Sequence, residues 1–406
     1  MKQVTYFSRI RALSCAAIVF LHMFYLAASG FETAFFQQTV CMIVRNCLLW
    51  AVPCFVMVSG ALLLDPAREI TIGKVFRKYI RRVLLALVIF TLIYAAFDLV
   101  LAGGSIGPAF LRDWLLVFWT NGSWPHVWYL YMLLGLYLML PLYRMVTERG
   151  SGPLLCYTVV IFFLFLSVLP TAAYLSGRTS GFYLMSYTVY PFFFFIGYAV
   201  HTGKIRIPTP AAVLMVLAGT ACLVAATYYS LSMPSDSLRT FSSSYASAAA
   251  VIQSVGLFAC FRNRAVKAGE IPASIGSAGF GSHVGTEEEG AWALPEDALA
   301  LVEEAQRTAA GPVSGTETAG SAEAPEAAPA RRNGPGAKIL ASLDGASFGI
   351  YLIHMIVLNV FFRVLHWNPF TMGGLGVLAL LAAANVLISW AVTALLRLIP
   401  GVKKVL

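Results

Sequence analysis

Charged residues are scarce in this chain, and the shortage bounds its class. Only 12% of the 406 residues are Asp, Glu, Lys or Arg, whereas 59% are hydrophobic. A soluble domain does not need so much apolar sequence, and apolar runs of about 20 residues recur along the chain. The composition excludes an ordinary soluble protein and predicts an all-α, polytopic membrane protein.

Cysteine motifs and a cleavable leader are also missing. The seven cysteines show no C-x-x-C spacing, so neither a disulfide framework nor a zinc site is indicated and we expect no metal. No small-residue cleavage site ends the first apolar run, so we expect a span rather than a signal peptide. The net charge of +9 does not predict nucleic-acid binding, because the basic residues cluster between the apolar runs.

The apolar runs predict ten transmembrane helices. Their expected ranges are 10–30, 40–64, 80–102, 126–147, 153–174, 184–202, 210–231, 243–261, 342–365 and 372–396. The stretch 110–119 is too short to span and carries an Arg-Asp pair, which predicts an interfacial helix.

The distribution of Lys and Arg predicts the orientation. If the chain crosses the membrane ten times, the segments that fall on the side of the termini contain 23 of the 28 basic residues. The other five are Arg45, Arg112, Arg178, Arg239 and Arg363. Because cytoplasmic loops carry the excess of Lys and Arg, we expect both termini in the cytoplasm and a multi-pass protein of the plasma membrane.

One segment breaks the apolar pattern. Residues 265–338 are rich in Ala, Gly, Ser, Glu and Pro and contain few large apolar side chains, which predicts a disordered cytoplasmic linker. The expected organisation is a membrane domain over 1–261, this linker, and a further membrane unit over 342–406. A regulatory or docking role for the linker is the alternative.

The first span carries an arginine and a histidine on one face. Arg11 and His22 are eleven positions apart, which is about three helical turns or roughly 16 Å. A histidine near the middle of the hydrocarbon core is expected to face a polar cavity. A neutral imidazole can act as a general base and an arginine at the cytoplasmic mouth can bind phosphate, so this pair is our candidate catalytic site. The alternative is that Arg11 anchors the helix and His22 bonds a carbonyl.

A basic group precedes the third span. Arg77, Lys78, Arg81 and Arg82 recur at helical spacing and predict one cationic stripe. Such a stripe can bind the phosphates of a cytosolic cofactor, bind anionic lipid head groups, or serve topology alone.

Five further residues are candidates for substrate or cavity contacts: Ser59, His126, Trp128, Tyr351 and His354. Ser59 lies beside a glycine within a span, where packing is the usual explanation. His126 and Trp128 begin the fourth span, where an interfacial aromatic belt is the usual explanation. Tyr351 and His354 lie on one polar stripe, and His354 has a depth similar to that of His22. The alternatives are a cavity shared with His22 and a hydrogen-bonded core.

Together these residues resemble the integral-membrane acyltransferase 3 family, which O-acylates extracytoplasmic glycans and related acceptors. The most specific feature is an arginine, ten residues and a histidine on the first span, here Arg11 and His22. The other similar features, in chain order, are Ser59-Gly60, the basic loop with Arg77, Arg81 and Arg82, the run Trp128-Tyr129-Leu130-Tyr131, and Gly349-Ile350-Tyr351-Leu352-Ile353-His354.

The resemblance implies an acyltransferase that uses acyl-CoA, typically acetyl-CoA, from the cytoplasmic face. It implies a hydroxyl acceptor on the other side, such as a cell-envelope saccharide. On this basis His22 activates the acceptor or relays the acyl group, and Arg11 with the basic loop orients the CoA phosphates. Acceptor identity, acyl chain length and oligomeric state stay open.

Two other functions compete with acyl transfer. A transporter or exporter of a glycan or lipid-linked intermediate would line a path with His22 and His354, but the inverted repeats typical of transporters are not evident. A sensor or scaffold with the linker as its output would leave Arg11 and His22 unexplained.

Overall fold

The computed structural model describes residues 5–120, 122–148, 152–176, 188–233, 235–274 and 335–402. Within these ranges the chain is helical and contains no β-strand. The α-helices are α1 (Thr5–Gly30), α2 (Phe35–Cys47), α3 (Ala51–Leu63), α4 (Ile72–Lys74), α5 (Arg81–Leu101), α6 (Pro108–Trp119), α7 (Trp128–Glu148), α8 (Gly152–Phe163), α9 (Leu169–Ser176), α10 (Tyr190–Thr202), α11 (Thr209–Ser232), α12 (Asp236–Ser243), α13 (Ala248–Lys267), α14 (Pro335–Asn359), α15 (Pro369–Met372) and α16 (Leu375–Leu396). Three π-helices, Val75–Ile80, Leu164–Val168 and Val360–Val364, adjoin α5, α9 and α14.

The predicted all-α polytopic architecture is confirmed. Nine helical segments in the described ranges are long and apolar enough to cross a membrane. The predicted span 184–202 corresponds to α10, which has 13 residues in the described part of the chain, while residues 184–187 lie outside it. The cytoplasmic placement of the termini stays a prediction.

The second predicted span is not one continuous helix. A turn at residues 48–50 separates α2 from α3. Pro53 lies in the first turn of α3. Backbone N–H groups in a first turn have no acceptor within the helix, so the N–H that proline lacks costs α3 no hydrogen bond. The predicted span over 40–64 is still one apolar segment long enough to cross a membrane, Phe35–Leu63, and the turn interrupts its helix.

Helices α3 and α10 touch backbone to backbone. A Cβ atom added to Gly60 would lie 1.9 Å from the carbonyl oxygen of Phe194, and one added to Gly197 would lie 2.3 Å from that of Met57. Only glycine permits this approach, as is common between transmembrane helices. These contacts fix α10 against the centre of the bundle.

The predicted linker 265–338 is too long at both ends. Helix α13 continues to Lys267, and beyond it Glu270 forms a 2.6 Å ion pair with Arg9. Helix α14 begins at Pro335. The contact of Glu270 with Arg9 joins two positions far apart in the sequence, so composition alone does not reveal it. Residues 275–334 lie outside the described ranges, and their predicted disorder stays a prediction.

Replacing residues 275–334 with a Gly-Ser segment of equal length should leave the thermal stability of the purified protein unchanged, because a disordered segment adds no core. Thermal unfolding in detergent measures this. The matched control replaces 268–274, which removes the ion pair of Glu270 with Arg9 and should lower the stability. A large loss from the 275–334 replacement would contradict the linker interpretation.

Candidate functional site

Helices α1 and α14 run in the same direction and meet at two polar levels. Arg11 pairs with Asp344 at the first level, and His22 lies against His354 at the second. The levels are 11 residues apart on α1 and 10 apart on α14, or roughly 16 and 15 Å at the α-helical rise. The two helices thus hold an ionic level and a histidine level in register.

The ionic level is a buried, bidentate pair that the sequence did not predict. Arg11 donates from Nε to Oδ1 of Asp344, and from its second terminal nitrogen to Oδ2 at 2.6 Å. Ser8 donates to the same Oδ2 at 2.7 Å. The side chains of Arg11 and Asp344 are only 11% and 8% exposed. The guanidinium that was predicted to contact phosphate is therefore already engaged by a carboxylate. The sequence offered one indication that Asp344 has a role, namely that its carboxylate lies within the predicted span 342–365.

The histidine level fixes the neutral tautomers of His22 and His354. Nδ1 of His354 lies 2.6 Å from the carbonyl oxygen of Tyr351 and 3.2 Å from that of Ile350. Both are acceptors, so Nδ1 carries the proton and Nε2 keeps a lone pair. Nδ1 of His22 lies 3.2 Å from that Nε2 and 3.0 Å from the carbonyl oxygen of Ile18, so it carries a proton too. The lone pair of His22 is therefore on Nε2, and this atom has no hydrogen bond to any described residue.

His126 completes a three-histidine cluster. Its ring centroid lies 5.3 Å from that of His354 and 6.2 Å from that of His22. Tyr94 donates its hydroxyl proton to the carbonyl oxygen of Leu352 at 2.6 Å. The same hydroxyl oxygen therefore accepts from Nε2 of His126 at 3.1 Å. This leaves a lone pair on Nδ1 of His126, which is buried and has no partner among the described residues.

Aromatic side chains surround one side of the cluster. Trp128 packs against Tyr190 and Tyr245, with ring centroids 5.6 and 5.5 Å away. Tyr129 packs against Tyr351 at 5.3 Å, and its buried hydroxyl has no partner in the described part of the chain. Buried polar atoms without partners are uncommon in native proteins, so this wall and His126 have polar capacity left for a ligand.

The predicted cationic stripe has two differently placed edges. The π-helix Val75–Ile80 contains Arg77 and Lys78, and Arg81 and Arg82 follow it. Arg77 and Arg81 are exposed, whereas Lys78 and Arg82 are partly buried against the bundle. Only one edge of the stripe therefore faces the other helices.

Arg82 lies beside the ionic level. Its guanidinium carbon is 5.4 Å from the centre of the Phe348 ring, one turn along α14 from Asp344. On the neighbouring turn, a Cβ atom added to Gly345 would lie 3.3 Å from a terminal nitrogen of Arg397. Arginines from α1, α5 and the end of α16 thus meet around one turn of α14.

The structure brings together most of the sequence-predicted residues. Tyr351 joins the cluster by donating its hydroxyl proton to the carbonyl oxygen of His126. His22 and His354 are in contact, and their shared function stays a prediction. The hydroxyl of Ser59 donates to the carbonyl oxygen of Phe55 on its own helix at 3.0 Å and makes no hydrogen bond to the histidine cluster among the described residues. Its neighbour Gly60 serves helix packing.

No group of three or more His, Cys, Asp or Glu side chains in the described ranges has an arrangement that could hold a metal ion. The donor orientation agrees with this at the histidine cluster. Nδ1 of His354 faces carbonyl oxygens, and its Nε2 faces His22. These two nitrogens of His354 are therefore engaged in hydrogen bonds.

Nine apolar helical segments around a buried cluster of three histidines, all within the described ranges, define the class: a multi-pass membrane protein. The chain belongs to the acyltransferase 3 family, whose model, described as an acyltransferase domain, matches residues 4–280. No curated protein and no solved structure matches the chain. The matched region includes Arg11, His22 and His126 but ends before α14, which supplies Asp344 and His354.

Proposed function

We propose that the protein transfers an acyl group from cytosolic acyl-CoA, with acetyl as the first candidate, to a hydroxyl of a cell-envelope saccharide at the plasma membrane. The observation that carries the proposal is the tautomer of His22. Its Nδ1 is held by Ile18 and His354, and its Nε2 lone pair points away from them. A buried neutral imidazole with an available lone pair is suited to general-base or nucleophilic catalysis.

In the proposed transfer, His22 carries one proton from the acceptor hydroxyl to the leaving thiolate. Nε2 takes the proton of the acceptor hydroxyl while the hydroxyl oxygen forms a bond to the thioester carbonyl carbon. The carbon–sulfur bond then breaks, and the CoA thiolate leaves with that proton. If Nε2 first accepts the acyl group itself, the overall balance is the same: alcohol and thioester give ester and thiol. His354 acts as a positioning residue, because it orients the ring without touching the reacting atoms.

The ionic level is the proposed donor side. It lies roughly 15 Å from the histidines at the α-helical rise, which is about the reach of an extended pantetheine arm. Because Asp344 already engages Arg11, the phosphate contacts are assigned to partly buried cations nearby, Arg82 and Lys78, with Arg397 beside them. A cationic level at the predicted cytoplasmic face favours a phosphorylated donor.

Acetyl-CoA should stabilise the detergent-purified protein against heat, and Arg82→Ala should weaken its binding about tenfold or more, as expected for loss of a charge-assisted contact. Calorimetry measures the affinity. Arg81→Ala is the matched control, because this exposed neighbour should change the affinity by about threefold at most. Absence of acetyl-CoA binding at millimolar concentration would contradict the proposal and favour the transporter.

A further inference from the structure

Arg45 is a cation within an apolar segment, and the proposed reaction does not use it. It is the eleventh residue of the candidate span Phe35–Leu63 and is partly buried. No carboxylate of the described residues lies within ion-pair distance of it. Burying a charged residue inside a span costs free energy, and such residues usually face a functional cavity. We therefore expect Arg45 to face one.

The neutral partners of Arg45 do not use its full donor capacity. One terminal nitrogen donates to Oδ1 of Asn46 at 2.6 Å and to the carbonyl oxygen of Ser243 at 3.3 Å. The guanidinium carbon lies 5.4 Å from the centre of the Tyr25 ring. Its Nε is buried and has no partner among the described residues. A guanidinium has five N–H donors, so donors remain for a ligand.

Arg45 lies beside the part of α1 that carries the reactive histidine. Its guanidinium packs over the ring of Tyr25, and Tyr25 is three residues, about one turn, beyond His22 on α1. The carbonyl oxygen of Ser243, which accepts from Arg45, is two residues before Tyr245, and the Tyr245 ring packs against Trp128 of the aromatic wall. Arg45 is thus held between the His22 region of α1 and this wall, and we place the acceptor there.

We propose that Arg45 binds an anionic group of the acyl acceptor, so that the acceptor is a saccharide bearing a carboxylate or phosphate near the hydroxyl that is acylated. This inference rests on the proposed function. A planar guanidinium with unused donors fits both anions by bidentate contacts. Binding the anion would also supply the negative charge that this buried cation lacks.

The test uses two glycosides that differ only at C6, p-nitrophenyl β-D-glucuronide and p-nitrophenyl β-D-glucoside. The intact protein should bind the glucuronide at least about tenfold more tightly, because a buried charge pair contributes this much or more to affinity. Arg45→Met should remove the preference by weakening glucuronide binding alone, and Arg45→Lys should keep part of it. Arg239→Met is the matched control, since this arginine is exposed and pairs with Asp236.

Stability separates a binding role from a structural one. Removing a buried cation that has no carboxylate partner should leave the melting temperature of the ligand-free protein unchanged or higher. A structural anchor would give the opposite result, so a strongly destabilised Arg45→Met protein overturns the proposal.

Three other outcomes also overturn it. The first is an intact protein that binds neither glycoside or does not discriminate between them. The second is an Arg45→Met protein that loses turnover equally with both glycosides at unchanged KM, which would assign Arg45 to the developing oxyanion. The third is selective occupation by a lipid, seen if phosphatidylglycerol in nanodiscs, but not the glucuronide, protects the protein relative to phosphatidylcholine.

Acetyl-CoA binding is measured in the same preparations. If the donor fails to bind while the Arg45-dependent preference persists, the acyl-transfer proposal fails and the anion site stands. If the donor binds and the preference is absent, the reverse holds. The two proposals therefore fail separately.

Discussion

His22→Ala should abolish measurable acyl transfer, with a fall of roughly a hundred- to ten-thousand-fold, as is usual when a general acid–base group is lost. Acetyl-CoA binding and membrane insertion should be retained, because the proposed donor contacts lie on the ionic level about three turns away. The measurement is transfer of labelled acetyl groups from acetyl-CoA to membrane saccharide, alongside donor affinity by calorimetry.

Two further variants serve as the control and the comparison for His22→Ala. Leu13→Ala alters the same helix at a side chain that is 49% exposed and should keep full activity. His354→Ala should reduce transfer less than His22→Ala, because Nδ1 of His22 keeps its bond to the carbonyl oxygen of Ile18. It should also shift the pH profile, since His22 loses a hydrogen-bond partner. Normal transfer by His22→Ala would remove His22 from the mechanism.

The sequence was sufficient for nine of the ten predicted spans in the described part of the chain and for one face of α1. Hydrophobicity acts residue by residue, so long apolar runs reveal the membrane segments without knowledge of their neighbours. The helical period alone places Arg11 and His22 on one face. That face is the one that meets α14 at both polar levels.

The partners of that face could not be predicted in the same way. Asp344 is 333 positions from Arg11, and no period links them. Which helix packs beside α1 depends on the side chains of both surfaces, and one sequence does not encode that choice in a local pattern. For the same reason the bidentate engagement of Arg11 was missed and a phosphate was expected instead.

His126 shows how a local pattern can leave two environments open, an interfacial belt and a cavity beside the other histidines. An aromatic-rich start of a span predicts an interfacial belt, yet His126 is 1% exposed and lies against His354. The turn before α7 carries it inward, and Tyr94 and Tyr351 hold it there. Burial of this kind is set by tertiary contacts with α5 and α14, not by the residue's position at a span boundary.

Arg45 shows the converse. It was visible in the sequence as one of five basic residues on the side poor in Lys and Arg, but the charge count alone gave it no role. Its significance depends on what surrounds it, namely Asn46, the Tyr25 ring and the absence of a described carboxylate partner.

Asp344→Ala should strongly lower the stability of the protein, because it leaves the guanidinium of Arg11 buried without a partner. Breaking one side of a buried ion pair costs about 3–5 kcal/mol. The hydroxyl of Ser8 loses its acceptor as well. Unfolding of the purified protein in detergent measures the loss, and acyl transfer should fall with it.

Replacing both Arg11 and Asp344 distinguishes an ion pair that only joins two helices from an arginine that binds phosphate. Arg11→Met with Asp344→Leu removes both charges together, so most of the lost stability should return. If the pair only holds α1 and α14 in register, the double variant should also recover acetyl-CoA affinity and much of the transfer, because His22 again meets His354. If Arg11 releases Asp344 to bind the donor, stability recovers while donor affinity stays low. The arginine predicted from the sequence as a phosphate contact is thus tested separately from the carboxylate that the structure places on it.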